Sequence, residues 1–302
     1  MVHTSRKLII KTLKASMNYD GLDSSTPPIS EFLLHRLDDK IFKKEFRIPW
    51  EMSVKLCGLV TSNPIFHNNS DNPQRPVEEK VMFTLKRLYC FGNGASFGML
   101  GKFFRVAEGS IELYTDHCLM AIFGLKDKLL TWPNTEAHQQ IQEQFEDFCF
   151  DGCVGVIDGK LVVLQGKTGM DGQDYYNRKG SYGIATLLIC EKNKKIQYVY
   201  IRWPGCSHNQ RLTTNCSLTL SPHKFFSQGQ YFLADPAFLA TINIVPAFKR
   251  TREKSLTEKQ QDFNCHLSGK WVVIENCIGL LKNRFQSLKG LRLCLQNNKD
   301  MT

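Results

Sequence analysis

The sequence predicts an α/β domain that follows an all-helical amino-terminal region. In residues 77–125 the apolar side chains recur at helical spacing. Beyond Trp132 the period changes, and short β-rich runs are bounded by Gly, Asn and Lys. A helix predicted at about 270–288 follows the last of these runs. These observations divide the chain into a basic arm with a linker (1–30), a helical region (31–130) and an α/β domain (131–302).

In the helical region, the pattern predicts two short helices broken near Pro49 and a later break at the Gly-containing segment FGNGAS. A helix, a turn at RVAEGS and a second helix from Ser110 then follow the plan of a helix-turn-helix. Gly101 weakens this prediction because glycine costs roughly 1 kcal/mol in a helix relative to alanine. Glu108 and Glu112 stand where DNA phosphates would favour basic groups. A helical hairpin used only for packing is therefore an equal alternative.

Four strands are predicted in the α/β domain. They are the runs VGVIDGKLVVL, GIATLLICE, IQYVYIRW and QGQYFLAD. The segment EKNKK has turn chemistry and is predicted to join the second and third strands as a hairpin. The domain thus places strands first and a long helix after them.

Three acidic residues stand at the edges of apolar runs. They are Asp158 in CVGVIDGKLVVL, Asp235 in QYFLADPAFLA and Glu275 in GKWVVIENCIGLLKNRF. Carboxylates are costly to bury unless a cation lies among them, and Mg²⁺ or Mn²⁺ prefers hard oxygen ligands. The pattern therefore indicates a two-metal site for phosphoryl transfer. Taken singly, the same residues have ordinary alternatives as a turn-forming Asp-Gly, a helix cap and a solvated helix position.

Basic residues near these acids are candidates to bind DNA phosphates. Arg178 and Lys179 form part of a polar cluster between two apolar strands, and Lys282 and Arg284 extend a basic face beyond Glu275. The alternatives are a charged hairpin tip for the first pair and simple helix solvation for the second.

Composition favours a polyanionic partner. The 302 residues include 39 Lys and Arg against 29 Asp and Glu, a net charge of +10, and nucleic acid is the commonest such partner. A basic protein without that partner is the alternative.

The 11 cysteines contain no CxxC pair, which is typical of reduced thiols in an intracellular protein. No apolar run approaches the ~18 residues of a membrane span.

The segments around the acids resemble, in order, the catalytic domain of Harbinger-type DDE transposases and of nucleases derived from them. The resemblance rests on WPNTEAHQQIQEQFEDF, VGVIDGKLVVL, YYNRKGSYGIATLLIC, RWPGCSHNQRL, YFLADPAFLATINIVPAFK and FNCHLSGKWVVIENCIGLLKNRFQSLKG. In the helical region, SFGMLGKFFRVAEGSI is similar to the helix-turn-helix segment of the same family.

This resemblance implies a ribonuclease-H-like fold, with Asp158 and Asp235 on adjacent strands and Glu275 on a helix packed across them. It implies a nuclear DNA endonuclease or strand-transferase that uses Mg²⁺ or Mn²⁺. Family members often take sequence specificity from a separately encoded Myb-like protein. The oligomeric state and the target site stay open.

The chain also departs from the family pattern. Asn209 stands where the family's PGSxHD turn ends in Asp, so a metal ligand at this position would be neutral. Trp271 stands where an Arg usually precedes the catalytic Glu by four residues, and the chain ends at Thr302 where the family continues into further helices. These departures favour the rival interpretation, a degenerate or truncated copy that serves as a domesticated DNA-binding or protein-interaction module.

Overall fold

The computed structural model describes residues 37–68, 74–146, 150–169, 171–251 and 255–292. The arm and linker predicted at 1–30 lie outside the described residues. The described chain divides into two units. One is helical and comprises the residues up to Asp127 together with Arg284–Arg292, and the other is the α/β unit Lys128–Asn283.

The described part of the helical unit contains five long helices. They are α1 (Asp39–Phe46), α2 (Trp50–Val60), α3 (Val77–Tyr89), α4 (Phe97–Phe104) and α5 (Glu108–Phe123), with short 3₁₀ turns at Pro64–Phe66, Gly92–Ala95 and Gln286–Lys289. The predicted breaks near Pro49 and at the Gly-containing segment are confirmed. The core of the unit is rich in aromatic side chains, and Phe42, Phe83 and Phe104 are fully buried in it.

The turn between α4 and α5 requires the glycine at position 101. A Cβ there would lie 2.7 Å from the carbonyl oxygen of Val106, whose amide donates to the Gly101 carbonyl at 3.0 Å. Gly101 is therefore a consequence of this close approach rather than a defect in the helix. Helix α5 begins at Glu108 and not at the predicted Ser110, because the carbonyl of Ala107 already accepts hydrogen bonds from the amides of Ser110 and Ile111.

The elements that follow build an α/β unit around one mixed sheet. They are α6 (Lys126–Leu129), α7 (Thr135–Glu146), β1 (Cys153–Val163), β2 (Gly183–Cys190), β3 (Ile196–Pro204), α8 (Asn209–Asn215), α9 (Ser217–Leu220), a 3₁₀ turn (Pro222–Lys224), β4 (Tyr231–Ala234), β5 (Ile244–Pro246) and α10 (Glu258–Arg284). The four predicted strands are confirmed, and β5 was not predicted because its three residues are too few to show a period.

The sheet places β1 at its centre. Its strand order is β3-β2-β1-β4-β5. Strands β1, β2 and β3 form an antiparallel meander, whereas β4 pairs parallel with both β1 and β5. The predicted hairpin between β2 and β3 is confirmed, since the Glu191 amide donates to the Lys195 carbonyl at 3.0 Å. Strand β1 therefore has a neighbouring strand on each side.

Helices cover both faces of this sheet. Ile141 of α7 and Ile274 of α10 are buried in the core on one face, and Leu212 of α8 and Leu218 of α9 are buried in the core on the other. Helix α10 begins at Glu258, well before the predicted start near 270, and it ends at Arg284. Its first turns are mostly polar, which hid them from the apolar pattern. None of the helices in the described residues has the length and apolar character needed to cross a membrane.

Candidate active site

Two of the predicted acids lie side by side on neighbouring strands. Ile157 of β1 is paired in register with Ala234 of β4, and the two strands run parallel. Asp158 and Asp235 therefore follow this pair at adjacent positions. Asp158 is only 1% exposed. The carboxylate of Asp235 accepts a hydrogen bond from the amide of Ala237 at 2.9 Å, so it caps the turn after β4 and not a helix.

Burial dominates the electrostatics of this pair. It raises the pKa of Asp158 to about 6, and the neighbouring Asp235 adds to the rise while Lys160 opposes it. Burial also raises the pKa of Asp235, against the Ala237 amide hydrogen bond and the charge of Lys160. A cation bound beside both carboxylates would favour their charged forms and so lower both pKa values.

Lys160 supplies a positive charge that sequence reasoning missed. Its Nζ lies 3.0 Å from Oδ2 of Asp158 and 5.9 Å from the ring centroid of Trp271. Oδ2 of Asp158 is nevertheless buried without a hydrogen-bond partner, so the contact is an ion pair that lacks hydrogen-bond geometry. The alternation of side chains along a strand could have revealed this contact from the sequence, because residues two apart on β1 share a face.

Glu275 lies on α10, four residues and about one turn beyond Trp271. Its side chain is exposed. Within the described residues, no hydrogen bond or ion pair links Glu275 to Asp158 or Asp235, and no three His, Cys, Asp or Glu side chains are grouped to hold a metal ion. The structure thus pairs the two aspartates and leaves the glutamate carboxylate turned to solvent.

Asn209 contacts the residue next to Asp158. It is the first residue of α8, and its side-chain amide occupies the space that a Cβ at Gly159 would need. Because side chains alternate along β1, this contact is on the face of the strand opposite to the Asp158 carboxylate. The amide of Asn209 therefore lies against the backbone of β1 beside the aspartate pair.

A basic cavity of about 400 Å³ flanks this end of β1. Its lining contains four Lys or Arg side chains, together with His208, and no acidic side chain. The four are Lys160, Arg178, Lys179 and Lys282. Three of the four predicted phosphate ligands thus share one cavity. Arg284, the fourth, is exposed at the end of α10 and is not part of the lining.

Local hydrogen bonds fix the backbone that carries Arg178 and Lys179, and one hydrogen bond holds the Lys282 side chain. The Asn177 carboxamide oxygen accepts from the Lys179 amide at 2.7 Å and from the Ser181 amide at 3.3 Å, which closes the turn that presents Arg178. Lys282 reaches β1 from α10, since its Nζ donates to the carbonyl of Leu161 at 3.3 Å.

Comparison with known proteins gives a consistent assignment. Residues 157–302 match the family model described as DDE superfamily endonuclease. The human HARBI1 protein, named as a candidate nuclease, is 21% identical over 273 residues, which covers 89% of this chain and 75% of the human protein. The bovine and mouse HARBI1 proteins, named in the same way, are 20% and 21% identical with the same coverage. No solved structure shows a significant match. The chain is therefore homologous to HARBI1, and its residues 157–302 match the DDE superfamily endonuclease family.

Proposed function

We propose that this chain is a transposase-derived DNA endonuclease or strand-transferase that depends on a divalent metal ion. Asp158, Asp235 and Glu275 are its proposed catalytic triad. The observation that carries the proposal is that Asp158 and Asp235 directly follow Ile157 and Ala234, which are paired on parallel neighbouring strands within the segment that matches the DDE endonuclease model. The fold supports it, because an antiparallel meander continued by a parallel fourth strand beside the first is the arrangement of a ribonuclease-H-like sheet.

The residues present fit a divalent ion. Carboxylate oxygens are the ligands that Mg²⁺ and Mn²⁺ prefer. Asp158 Oδ2 is buried without a hydrogen bond, and burial raises the pKa of both aspartates although Lys160 lies 3.0 Å from that oxygen, so a bound ion would stabilise their charged forms further. Asp158 and Asp235 would hold the ion, and Glu275 would join them once its side chain turns from solvent toward β1. Asn209, the degenerate position of the family pattern, lies against β1 on the face opposite to the Asp158 carboxylate, so in this arrangement its neutral amide would not contact the ion directly.

In this proposal the protein positions DNA and the ion. Bound Mg²⁺ or Mn²⁺ supplies Lewis-acid stabilisation of the phosphate and lowers the pKa of the attacking water or 3′-hydroxyl. Arg178, Lys179 and Lys282 bind backbone phosphates in the basic cavity. The hydrogen-bonded turn at Asn177 fixes the backbone at Arg178 and Lys179, so both side chains start from a defined position at the cavity.

The α4–α5 pair supports a packing role more than sequence-specific DNA binding. The exposed side of α5 carries Glu108, Glu112 and Asp116, and it also exposes Met120 and Phe123. An acidic and apolar helix face repels phosphates. We therefore assign phosphate binding to the cavity of the α/β unit, and sequence specificity to a Myb-like partner.

The experiment is nicking of supercoiled plasmid in Mn²⁺. Wild-type protein should nick, and Asp158→Ala and Asp235→Ala should each abolish nicking. Asp262→Ala, which removes an exposed carboxylate from α10, is the matched control and should retain activity. Equal nicking by the wild type and by Asp158→Ala would refute the proposed triad.

A second function is favoured by the same site. The solvent-facing Glu275, the neutral Asn209 and the Lys160 ion pair fit a domesticated DNA-binding module whose nuclease has decayed. This module would bind duplex DNA without metal and never nick it.

Either function requires access to DNA, so we place the chain in the nucleus. A fluorescent fusion of the full chain that stays out of the nucleus would contradict that location.

A further inference from the structure

Lys160 lies at the place where a metal ion would bind. It follows Asp158 by two residues on β1, so both side chains project from the same face of the strand. Its Nζ approaches Asp158 Oδ2 to 3.0 Å. Asp235 follows Ala234, which is paired with Ile157 on the neighbouring strand, so Asp235 stands at the position adjacent to Asp158.

An ammonium and a divalent ion cannot share this position. A metal ion binds a carboxylate oxygen at about 2.0 to 2.6 Å. With Lys160 at 3.0 Å from Oδ2, the two cations would lie within a few ångströms and repel each other in a partly desolvated place. Binding of the ion therefore requires that the ammonium move away.

The structure also offers a place for the displaced ammonium. The Lys160 side chain is 33% exposed, and it lines the basic cavity that also contains Arg178, Lys179 and Lys282. The cavity lining contains no carboxylate that could receive the charge. A DNA phosphate in the cavity would supply the missing negative partner.

We propose that Lys160 is an internal counter-ion that competes with the divalent ion for Asp158 and Asp235 and moves to a DNA phosphate when the metal binds. The inference rests on the proposed nuclease function. This competition couples the binding of DNA to the binding of metal. A DNA phosphate that binds the Lys160 ammonium frees the carboxylates for the metal ion. A metal ion that displaces the ammonium in turn strengthens phosphate binding. Free protein then binds metal weakly, and DNA-bound protein binds it tightly.

The test is Mn²⁺ affinity in the absence of DNA, measured at pH 8 by isothermal titration calorimetry and by the electron paramagnetic resonance signal of free Mn²⁺. Lys160→Met removes the charge and should bind Mn²⁺ about tenfold more tightly than the wild type, or more. Lys160→Arg keeps the charge and should stay near the wild type. Lys259→Met, which removes an exposed lysine from α10, is the matched control and should change nothing.

A second measurement tests the coupling. A short duplex oligonucleotide, with Ca²⁺ absent, should tighten Mn²⁺ binding to the wild type and tighten it much less in Lys160→Met. If Lys160→Met does not fold, Lys160→Gln replaces it as the neutral variant. Equal or weaker Mn²⁺ affinity in the neutral variant overturns the inference while leaving the nuclease proposal intact. Absence of Mn²⁺ binding in both wild type and neutral variants overturns the metal-dependent function and the inference together.

Discussion

The side-chain amide of Asn209 lies against Gly159, the residue that follows Asp158 on β1. This contact joins the start of α8 to the strand that carries the buried aspartate. A Cβ at position 159 would overlap the amide, so only glycine fits there with Asn209 in place. The Asp-Gly pair is thus not a turn but part of a strand, and its glycine makes room for α8.

Gly159→Ala should destabilise the protein through this overlap. The added methyl group collides with Asn209, and overpacking of this kind costs about 1 to 3 kcal/mol. Urea unfolding of the variant would measure the loss. The double variant Gly159→Ala with Asn209→Ala removes the collision and should recover most of the stability lost in Gly159→Ala. A double variant as unstable as the sum of the two single variants would show that the contact is not the cause.

The strands could be predicted from the sequence because each is a short β-rich run bounded by turn residues. The two aspartates could be singled out because they stand at the edges of two such runs, whereas their adjacency was implied only by the family resemblance. The start of α10 could not be predicted, because its first turns contribute few apolar side chains to the core. Leu267 is buried in the core, and Phe263 packs against it. The ion pair of Lys160 depends on the distance across the site, which no local pattern contains. The packing of residues 284–292 with the helical unit depends on remote partners, such as the Arg292 guanidinium donating to the Gly92 carbonyl.

Asn209→Asp should raise Mg²⁺-dependent cleavage and leave metal-free DNA binding nearly unchanged. A carboxylate at position 209, across β1 from the Asp158 side chain, adds a third acidic group near the aspartate pair and attracts the ion through its charge, whereas phosphates bound in the cavity are held by other residues. Plasmid nicking at limiting Mg²⁺ and fluorescence anisotropy with labelled duplex measure the two effects. Asn215→Asp, at the other end of α8, controls for the added charge. Unchanged cleavage in Asn209→Asp would show that the neutral side chain at position 209 does not limit cleavage.

Asp158→Asn should make the protein more stable at pH 8 and alter its pH dependence. Burial raises the pKa of Asp158 from 3.8 to about 6, so the folded state binds more protons than the unfolded state between these values. Stability contributed by the protonated carboxyl is therefore present below about pH 4 and is lost as the pH rises toward 6. Asparagine cannot ionise, and the variant should gain up to about 3 kcal/mol above pH 6.

Urea unfolding at pH 4 and pH 8 measures this difference. At pH 4 the variant and the wild type should be nearly equal in stability. Glu143→Gln, which neutralises an exposed acid on α7, is the control and should show no such gain. A variant that is less stable than the wild type at pH 8 would mean that the carboxylate contributes net stability through Lys160.

Arg178→Ala combined with Lys179→Ala should weaken DNA binding and its salt dependence. Each phosphate contact contributes about 0.9 to the slope of log affinity against log salt concentration for duplex DNA. The double variant should therefore lose about 2 from the magnitude of that slope. Anisotropy titrations of a labelled duplex without metal, at several salt concentrations, give the slope directly.

Two further variants locate the binding surface. Lys43→Ala with Lys44→Ala removes two exposed lysines from α1 and should leave the slope much closer to the wild type. Glu112→Gln with Asp116→Asn should have little effect, because α5 is not proposed to bind phosphates. If the α5 variant changed DNA affinity strongly and the Arg178 and Lys179 variant did not, the DNA-binding site would lie on the helical unit.

Glu275→Gln should abolish Mn²⁺-dependent nicking without changing stability or metal-free DNA binding. The side chain is exposed and makes no hydrogen bond or ion pair within the described residues, so its replacement should alter the free energy of unfolding by less than about 0.5 kcal/mol. Its proposed role begins only when a bound ion draws it toward Asp158 and Asp235, and a neutral amide is a weaker ligand for that ion. Glu258→Gln, at the first turn of the same helix, removes an equally exposed carboxylate and should nick like the wild type. If Glu275→Gln nicks plasmid as fast as Glu258→Gln, the third acid of the triad must be sought on another element.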